Sequence, residues 1–108
     1  AETRSADWPF QPPSAAKSVE IGNFYFRRGN FPGALSRYRE AIRTDPDYAP
    51  AYLALGKVYE ATGKRRKALA TYKKYLAELH SDRDAARAKG AHNAIARLKQ
   101  EIAKNRDK

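Results

Sequence analysis

The sequence predicts an all-α fold: a helix-turn-helix repeat solenoid of two repeats followed by a C-terminal capping helix, five helices in all. The first observation is that five residues recur after 34 positions, a spacing that we call the repeat period and that is typical of stacked supersecondary units. The second is that apolar residues follow a helical spacing between short turns. The third is the narrow apolar stripe of the last segment, which is typical of a helix that closes an array. The recurring residues are Gly22, Tyr25, Gly29, Ala34 and Tyr38, which return as Gly56, Tyr59, Gly63, Ala68 and Tyr72.

The individual helices have recognisable start and stop signals. Ser14 predicts the start of a first helix over residues 15–28, and Asn30 predicts the start of a second, because both side chains can accept from free amides of a first turn. Pro46 ends the second helix, and Asp47 is expected to cap the third. The same pattern then repeats through a third and a fourth helix.

Residues 1–14 are predicted to be an extended arm, since each proline restricts the residue before it to extended conformations. The arm carries Trp8 and Phe10, two large apolar side chains that are costly to leave in water. We expect them to dock on a protein surface. Two alternatives stay open: the arm folds back on its own helices, or it crosses to a second copy and forms a homodimer.

Composition and charge restrict the class of protein. The chain is 42% hydrophobic and 31% charged, which argues against a disordered segment. No apolar run approaches the roughly 18 residues of a bilayer-spanning helix, so we do not expect an integral membrane protein. The chain has no cysteine, which excludes disulfides and thiol nucleophiles. Basic charge is concentrated after residue 54, where 15 Lys and Arg face 6 Asp and Glu.

The repeat resembles the tetratricopeptide repeat (TPR) family, whose unit is a helix-turn-helix of about 34 residues. The resemblance implies TPR repeat 1 at residues 15–48, TPR repeat 2 at residues 49–82 and a capping helix at residues 83–106. Ser18 stands where the family has a large anchor, and His80 stands where it has a proline. The matching residues of the second repeat are Tyr52, Leu55, Gly56, Tyr59, Ala68, Tyr72 and Tyr75. The family implies a protein-binding scaffold without enzyme activity.

In this family, the first helix of each unit lines a concave groove, which implies a peptide-binding surface here. Phe26 and Leu53 supply apolar contacts, and Asn23 and Lys57 can donate to peptide carbonyls or a carboxylate. The predicted groove residues are Val19, Asn23, Phe26, Arg27, Leu53, Lys57 and Glu60. Of the residues with which some family members clamp chaperone tails, only Asn23 is present. We therefore expect a different ligand.

A second resemblance concerns the start of the first repeat. Residues 17–29, read with Pro9, Phe10 and Asn30, are similar to the opening of bacterial envelope lipoproteins related to the outer-membrane assembly lipoprotein family. Those proteins carry a lipid on a cysteine that this chain lacks, so the resemblance implies a trimmed mature domain. We expect a bacterial protein of the periplasm or envelope, with the cytoplasm as the alternative.

Patterns that suggest enzymes are incomplete. Ser14 and Lys17 have the nucleophile and base spacing of penicillin-binding enzymes, but the partner motifs are missing. Gly63 precedes a lysine without the Ser or Thr that a phosphate loop needs. His80 and His92 have no second ligand at metal-binding spacing. We predict no catalytic residues, no cofactor and no metal.

A run of basic residues offers an alternative function. Lys64, Arg65, Arg66 and Lys67 lie at the predicted start of the fourth helix, and we call them the basic patch. Such a patch can bind nucleic acid or an anionic membrane surface. No aromatic residue is interleaved with these charges and no nucleic-acid motif is present, so a solvated face is favoured. We expect a protein or peptide partner in preference to nucleic acid.

Overall fold

The computed structural model describes residues 12–80 and 84–106, and these residues form five α-helices and no strand. The predicted all-α fold is confirmed. The first two helices lie within residues 15–48 and the next two within residues 49–82. Trp8 and Phe10 lie outside the described residues, as do residues 81–83 before the last helix. The helices are α1 (Ala15–Arg27), α2 (Phe31–Thr44), α3 (Ala49–Ala61), α4 (Arg65–Ala77) and α5 (Ala85–Arg106).

The turns inside the two helix pairs use the same backbone geometry. Gly29 and Gly63 both have φ of +77°, a left-handed conformation that glycine adopts without a steric penalty. In the first turn, the amide of Asn30 donates to the carbonyl of Tyr25 at 2.9 Å. The amide of Lys64 donates in the same way to the carbonyl of Tyr59 at 2.8 Å. These bonds satisfy carbonyls that the end of a helix leaves free.

Two of the three predicted helix caps are present and one prediction is wrong. Ser14 Oγ accepts from the amide of Lys17 at 3.1 Å, and Asn30 Oδ1 accepts from the amide of Gly33 at 3.0 Å. Asp47 does not cap α3, because its own amide donates to Asp45 Oδ1 at 3.1 Å. The capping position of α3 is Tyr48, which makes no side-chain cap bond, and a proline in the first turn reduces the number of free amides there.

Each helix packs against the next along the chain, and α1 also packs against α3. Within the described residues, no pair of α-carbons from α3 and α5 approaches within 8 Å. The first helices of the two repeats therefore lie side by side, whereas a gap separates α3 from α5. No described helix has the length and apolar character needed to cross a bilayer.

The core repeats with the same period as the sequence. Tyr38 packs on Gly22 and Tyr72 packs on Gly56, so closely that a Cβ at either glycine would overlap the tyrosine ring. Both tyrosines are buried. Leu98 of α5 is fully buried in the same cluster and closes its far end. The recurring Gly and Tyr positions are thus contact pairs between the two helices of each repeat.

Ser18 puts a polar side chain into this core. It is fully buried, and its Oγ has no hydrogen-bond partner among the described residues. A buried hydroxyl that has lost its water without gaining a partner destabilises the fold. Ser18, where the resemblance implies a large anchor, therefore puts a small polar group in an apolar place.

We expect Ser18→Ala to raise the free energy of unfolding by about 1 kcal/mol, because it removes the unpartnered hydroxyl. Denaturant unfolding measures the change. Ser36→Ala, at an exposed position of α2, is the matched control, since it gives the same gain in helix propensity without a burial effect. An equal or smaller gain for Ser18→Ala than for Ser36→Ala would contradict this account.

Candidate functional site

Two adjoining depressions lie on the face formed by α1, α3 and α5, which we call the concave groove. The larger, with a volume of about 720 Å³, occupies the gap between α3, the end of α4 and α5. The smaller, of about 380 Å³, lies between α1 and α3. Pro50, Leu53 and Lys57 of α3 line both depressions. These three residues therefore form the ridge at which the two halves of the groove meet.

The structure brings the seven predicted groove residues together on this face. Six of them line the smaller depression: Val19, Asn23, Phe26, Arg27, Leu53 and Lys57. Glu60 lines the larger depression, together with Leu53 and Lys57. Phe26 is half-buried and rests edge-on against Phe31, with 5.4 Å between ring centroids. The groove thus has an apolar floor with polar groups along it.

Asn23 has a fixed orientation at the base of the smaller depression. The hydroxyl of Tyr38 donates to Asn23 Oδ1 at 2.5 Å. Because the amide oxygen accepts this bond, the Asn23 NH2 group remains as the donor. A backbone carbonyl of a bound peptide is a suitable acceptor for that group.

The second repeat holds its tyrosine hydroxyl with a different residue. Lys57 lies one repeat period after Asn23, and a lysine cannot accept from a tyrosine hydroxyl. The Tyr72 hydroxyl donates instead to Glu60 Oε1 at 2.7 Å. Lys57 makes no ion pair or side-chain hydrogen bond to any other described residue, and its side chain is exposed. The exchange of partners leaves a free ammonium group in the centre of the groove.

Glu60 is committed to a network that joins α3 to α5. Arg97 donates to both carboxylate oxygens of Glu60, at 2.6 and 3.2 Å. The hydrogen bonds from Arg97 are the main reason that the pKa of Glu60 is lowered, although burial opposes the shift. Burial, and then the Glu60 carboxylate, raise the pKa of Tyr72, which keeps its hydroxyl a donor. The Glu60 carboxylate therefore bridges α3 and α5 across the gap and is not free to bind a ligand.

We expect Glu60→Gln to destabilise the fold by about 1 kcal/mol at neutral pH, a modest value because the Arg97 side chain is 48% exposed. Since folding lowers the pKa of Glu60, its contribution is present above the ordinary carboxyl value of 4.5 and is lost as the pH falls below it. The difference between wild type and variant should therefore shrink on acidification. Denaturant unfolding at a series of pH values measures this.

Glu40→Gln is the control for this series, because it removes the carboxylate of an exposed ion pair with Arg43. We expect it to change stability by less than about 0.5 kcal/mol. A constant difference between Glu60→Gln and wild type across the acidic range would rule out the proposed role of the carboxylate.

Sequence reasoning missed the half of the groove that α5 supplies. Arg87, Ala91 and Ala94 line the larger depression, one repeat period after Leu53, Lys57 and Glu60 respectively. Gly90 likewise follows Gly56 by the same interval. Extending the repeat period through the last helix would have found these positions. The α5 helix therefore serves both as a cap and as the third wall of the groove.

The basic patch lies away from the groove. Its four side chains are exposed around the start of α4 and, with Ile102 and Asn105, line a separate depression of about 450 Å³. Arg65 lies 3.4 Å from Glu101, and Lys67 lies 5.8 Å from the centroid of the Tyr59 ring. Lys64 occupies in α4 the capping position that Asn30 occupies in α2, but it makes no side-chain cap bond. Among the described residues, no group of three or more His, Asp or Glu side chains could hold a metal ion.

This fold and groove place the chain in the class of all-α helical repeat solenoids. Comparison with known proteins identifies the family within this class. A family model described as TPR repeat matches residues 22–63, and one described as tetratricopeptide repeat matches residues 51–86. Together they span residues 22–86, more than half of the chain. The chain therefore belongs to the tetratricopeptide repeat family. Repeats of this family generally form protein-interaction scaffolds without catalytic activity.

Solved structures give the same fold. The crystal structure of a tetratricopeptide repeat domain protein from Salinibacter ruber aligns with a TM-score of 0.71 at 22% identity, covering 79% of this chain and 96% of the other. A solution NMR structure of a tetratricopeptide repeat domain protein from the same organism aligns with a TM-score of 0.59 at 25% identity, covering 88% and 89%. The comparison with curated proteins gives no match.

Proposed function

We propose that this chain binds a peptide segment of a partner protein along the concave groove. The observation that carries the proposal is the ridge of Leu53 and Lys57, where an apolar floor meets a cation without an acidic partner among the described residues. Clefts with an apolar lining and a few placed polar groups are the common form of binding sites. The two depressions together extend along α1, α3 and α5, the helices that form the concave groove.

The chemistry of the groove favours a particular kind of peptide. The larger depression, lined by Leu53, Leu79 and Ala91 among others, suits an apolar side chain. Lys57 and Arg27 attract a nearby acidic side chain or a terminal carboxylate, and Asn23 can hold a backbone carbonyl. The proposed ligand is therefore a segment with an apolar anchor next to an acidic group. A place in a bacterial envelope or assembly complex is part of the proposal, and it is supported by the resemblance of residues 17–29.

The proposal is tested by selecting peptides from a random library on the immobilised chain and measuring the affinity of a selected peptide by calorimetry. We expect Lys57→Glu to weaken binding at least about tenfold, equivalent to ~1.4 kcal/mol, because it replaces the attracting charge with a repelling one. Lys73→Glu makes the same charge change at an exposed position of α4 outside the groove and should leave the affinity unchanged. Equal losses for both variants would sink the groove as the binding site.

A second candidate function is electrostatic binding through the basic patch. It is favoured by the four exposed cations beside a helix start that has no side-chain cap. Binding of this type to nucleic acid or anionic vesicles falls steeply with salt. A titration of the chain with duplex DNA, single-stranded RNA and anionic vesicles at low ionic strength tests it, and no binding to any of the three would remove this function.

A further inference from the structure

The outer face of α1, which points away from α3, leaves apolar side chains open to water. Phe24 is 45% exposed and is the one large hydrophobic side chain of the described residues in that state. Ile21 lies one turn earlier on the same face and is half-buried. The Phe24 and Tyr25 rings form a T-shaped pair with 5.7 Å between centroids, and the Arg28 guanidinium lies 4.6 Å from the centroid of the Phe24 ring.

The equivalent face of the second repeat is covered. Leu55 and Val58 lie one repeat period after Ile21 and Phe24 and are only 8% and 1% exposed. They are buried in the core where α2 packs on α3. Among the described elements, α1 contacts only α2 and α3. The outer face of α1 therefore carries apolar residues like those on the buried face of α3, but no described helix packs against it.

The opposite end of the array differs. No large hydrophobic side chain of α5 is exposed within the described residues, and the solvent side of that helix carries Lys89, Lys99 and Gln100. A polar outer surface is what an end unit needs to stay in water. Among the described helices, α1 lacks such a surface on its outer face.

We propose that residues 1–11 of the arm fold back onto this face in the same molecule and pack Trp8 and Phe10 against Phe24 and Ile21. The arm joins the described chain at Pro12, next to the start of α1. Four residues of extended chain, from Pro12 back to Trp8, span about 13 Å at ~3.3 Å per residue. The rise along α1 from its first residue to Phe24 is about 14 Å at ~1.5 Å per residue. The two lengths match, so an arm that turns back beside the start of α1 brings Trp8 level with Phe24.

The order of residues in the arm matches the order on the helix. In an arm that runs antiparallel to α1, Phe10 lies nearer Ile21 and Trp8 lies over Phe24. Pro9 between them favours an extended backbone, which puts both aromatic rings on one side. Asp7 then comes closest to Arg28, which has no acidic partner among the described residues. Apolar contact and charge complementarity therefore both favour an arm that runs antiparallel to α1 in this register.

Trp8 is the single tryptophan of the chain, so its fluorescence reports on the proposed contact directly. We expect the emission of the folded protein to be shifted to shorter wavelength than that of the unfolded chain, and to be protected from acrylamide. Phe24→Ser should abolish both effects while the helical circular dichroism stays unchanged, because Phe24 is not part of the core. Leu53→Ser, in the concave groove, is the control for location; because Leu53 packs against the core, its helical circular dichroism is compared with that of wild type, and its emission should be as in wild type.

Three results would overturn the proposal. The first is that the emission of wild-type Trp8 equals that of the unfolded chain. The second is that the emission responds to Leu53→Ser and not to Phe24→Ser, which would place the arm in the groove. The third is that the emission depends on protein concentration and the protein has a dimeric mass, which would place the arm on a second copy. Nuclear Overhauser contacts in dilute wild-type protein provide a test without any substitution. We expect them between the Trp8 indole and the Ile21 methyl groups, and their absence would equally contradict the proposal.

Discussion

Replacing Gly56 with alanine is expected to lower the free energy of unfolding by about 2–3 kcal/mol, although alanine is the better helix former. The added Cβ would lie 2.5 Å from Tyr72 Cε1 and 2.7 Å from Cδ1, well inside contact distance. The ring cannot move aside cheaply, because Tyr72 is 2% exposed and its hydroxyl is held by Glu60. The substitution must therefore force α3 and α4 apart or break that bond.

Gly90→Ala is the matched control, because it makes the same change within a helix at a position where the new Cβ meets no atom within 4 Å beyond its chain neighbours and its own helix backbone. We expect it to stabilise the protein by up to about 1 kcal/mol, from helix propensity alone. Denaturant unfolding of the two variants beside wild type measures both. If Gly56→Ala proved as stable as Gly90→Ala, the close contact between the helices of a repeat would not be the reason that glycine recurs.

Truncating Leu98 to alanine should cost about 3 kcal/mol, the typical effect of removing a buried leucine side chain. Leu98 is fully buried in the main core cluster and is the residue by which α5 closes the end of the array. A protein of this size has a total stability of about 5–15 kcal/mol, so the loss is a large fraction of it. We also expect weaker peptide binding, since α5 forms one wall of the larger depression.

Lys99→Ala is the control for this prediction, because the neighbouring side chain is exposed and its loss should change stability by less than about 0.5 kcal/mol. Thermal and denaturant unfolding monitored by circular dichroism give the comparison. A Leu98→Ala variant as stable as Lys99→Ala would mean that α5 is not an integral part of the fold.

Most of the fold could be predicted from the sequence because the repeat imposes it twice. The recurrence of Gly22 as Gly56 and of Tyr38 as Tyr72 reflects one helix contact made in each repeat. The caps at Ser14 and Asn30 were also predictable, since each needs only a short polar side chain before a helical pattern. Local chemistry and the period agree at these positions, and the structure follows both.

Prediction from the sequence is limited where a residue has two possible partners. The amide of Asp47 bonds to the side chain of Asp45, a local turn that competes with capping. The sequence predicts Glu60 as a groove residue, but its position beside Tyr72 and Arg97 commits its carboxylate to a bridge. Neither outcome can be read from spacing, because each depends on which of two neighbours is nearer in three dimensions.

The separation of α3 from α5 was equally beyond the sequence. The period gives the helices that line a groove, but the width of the groove depends on packing between α4 and α5. Leu98 and the Glu60–Arg97 bridge hold α5 at a distance that leaves the larger depression open. The repeat period therefore determines which residues line the candidate site, and the position of α5 determines its volume.

Backbone amide shift mapping tests most directly whether the concave groove binds a peptide. The isotope-labelled chain is titrated with a peptide selected from the random library, and the largest shifts are located on the helices. We predict that they fall at Asn23, Leu53, Lys57 and Ala91, on both sides of the ridge. Shifts confined to the basic patch or to the outer face of α1 would contradict the account.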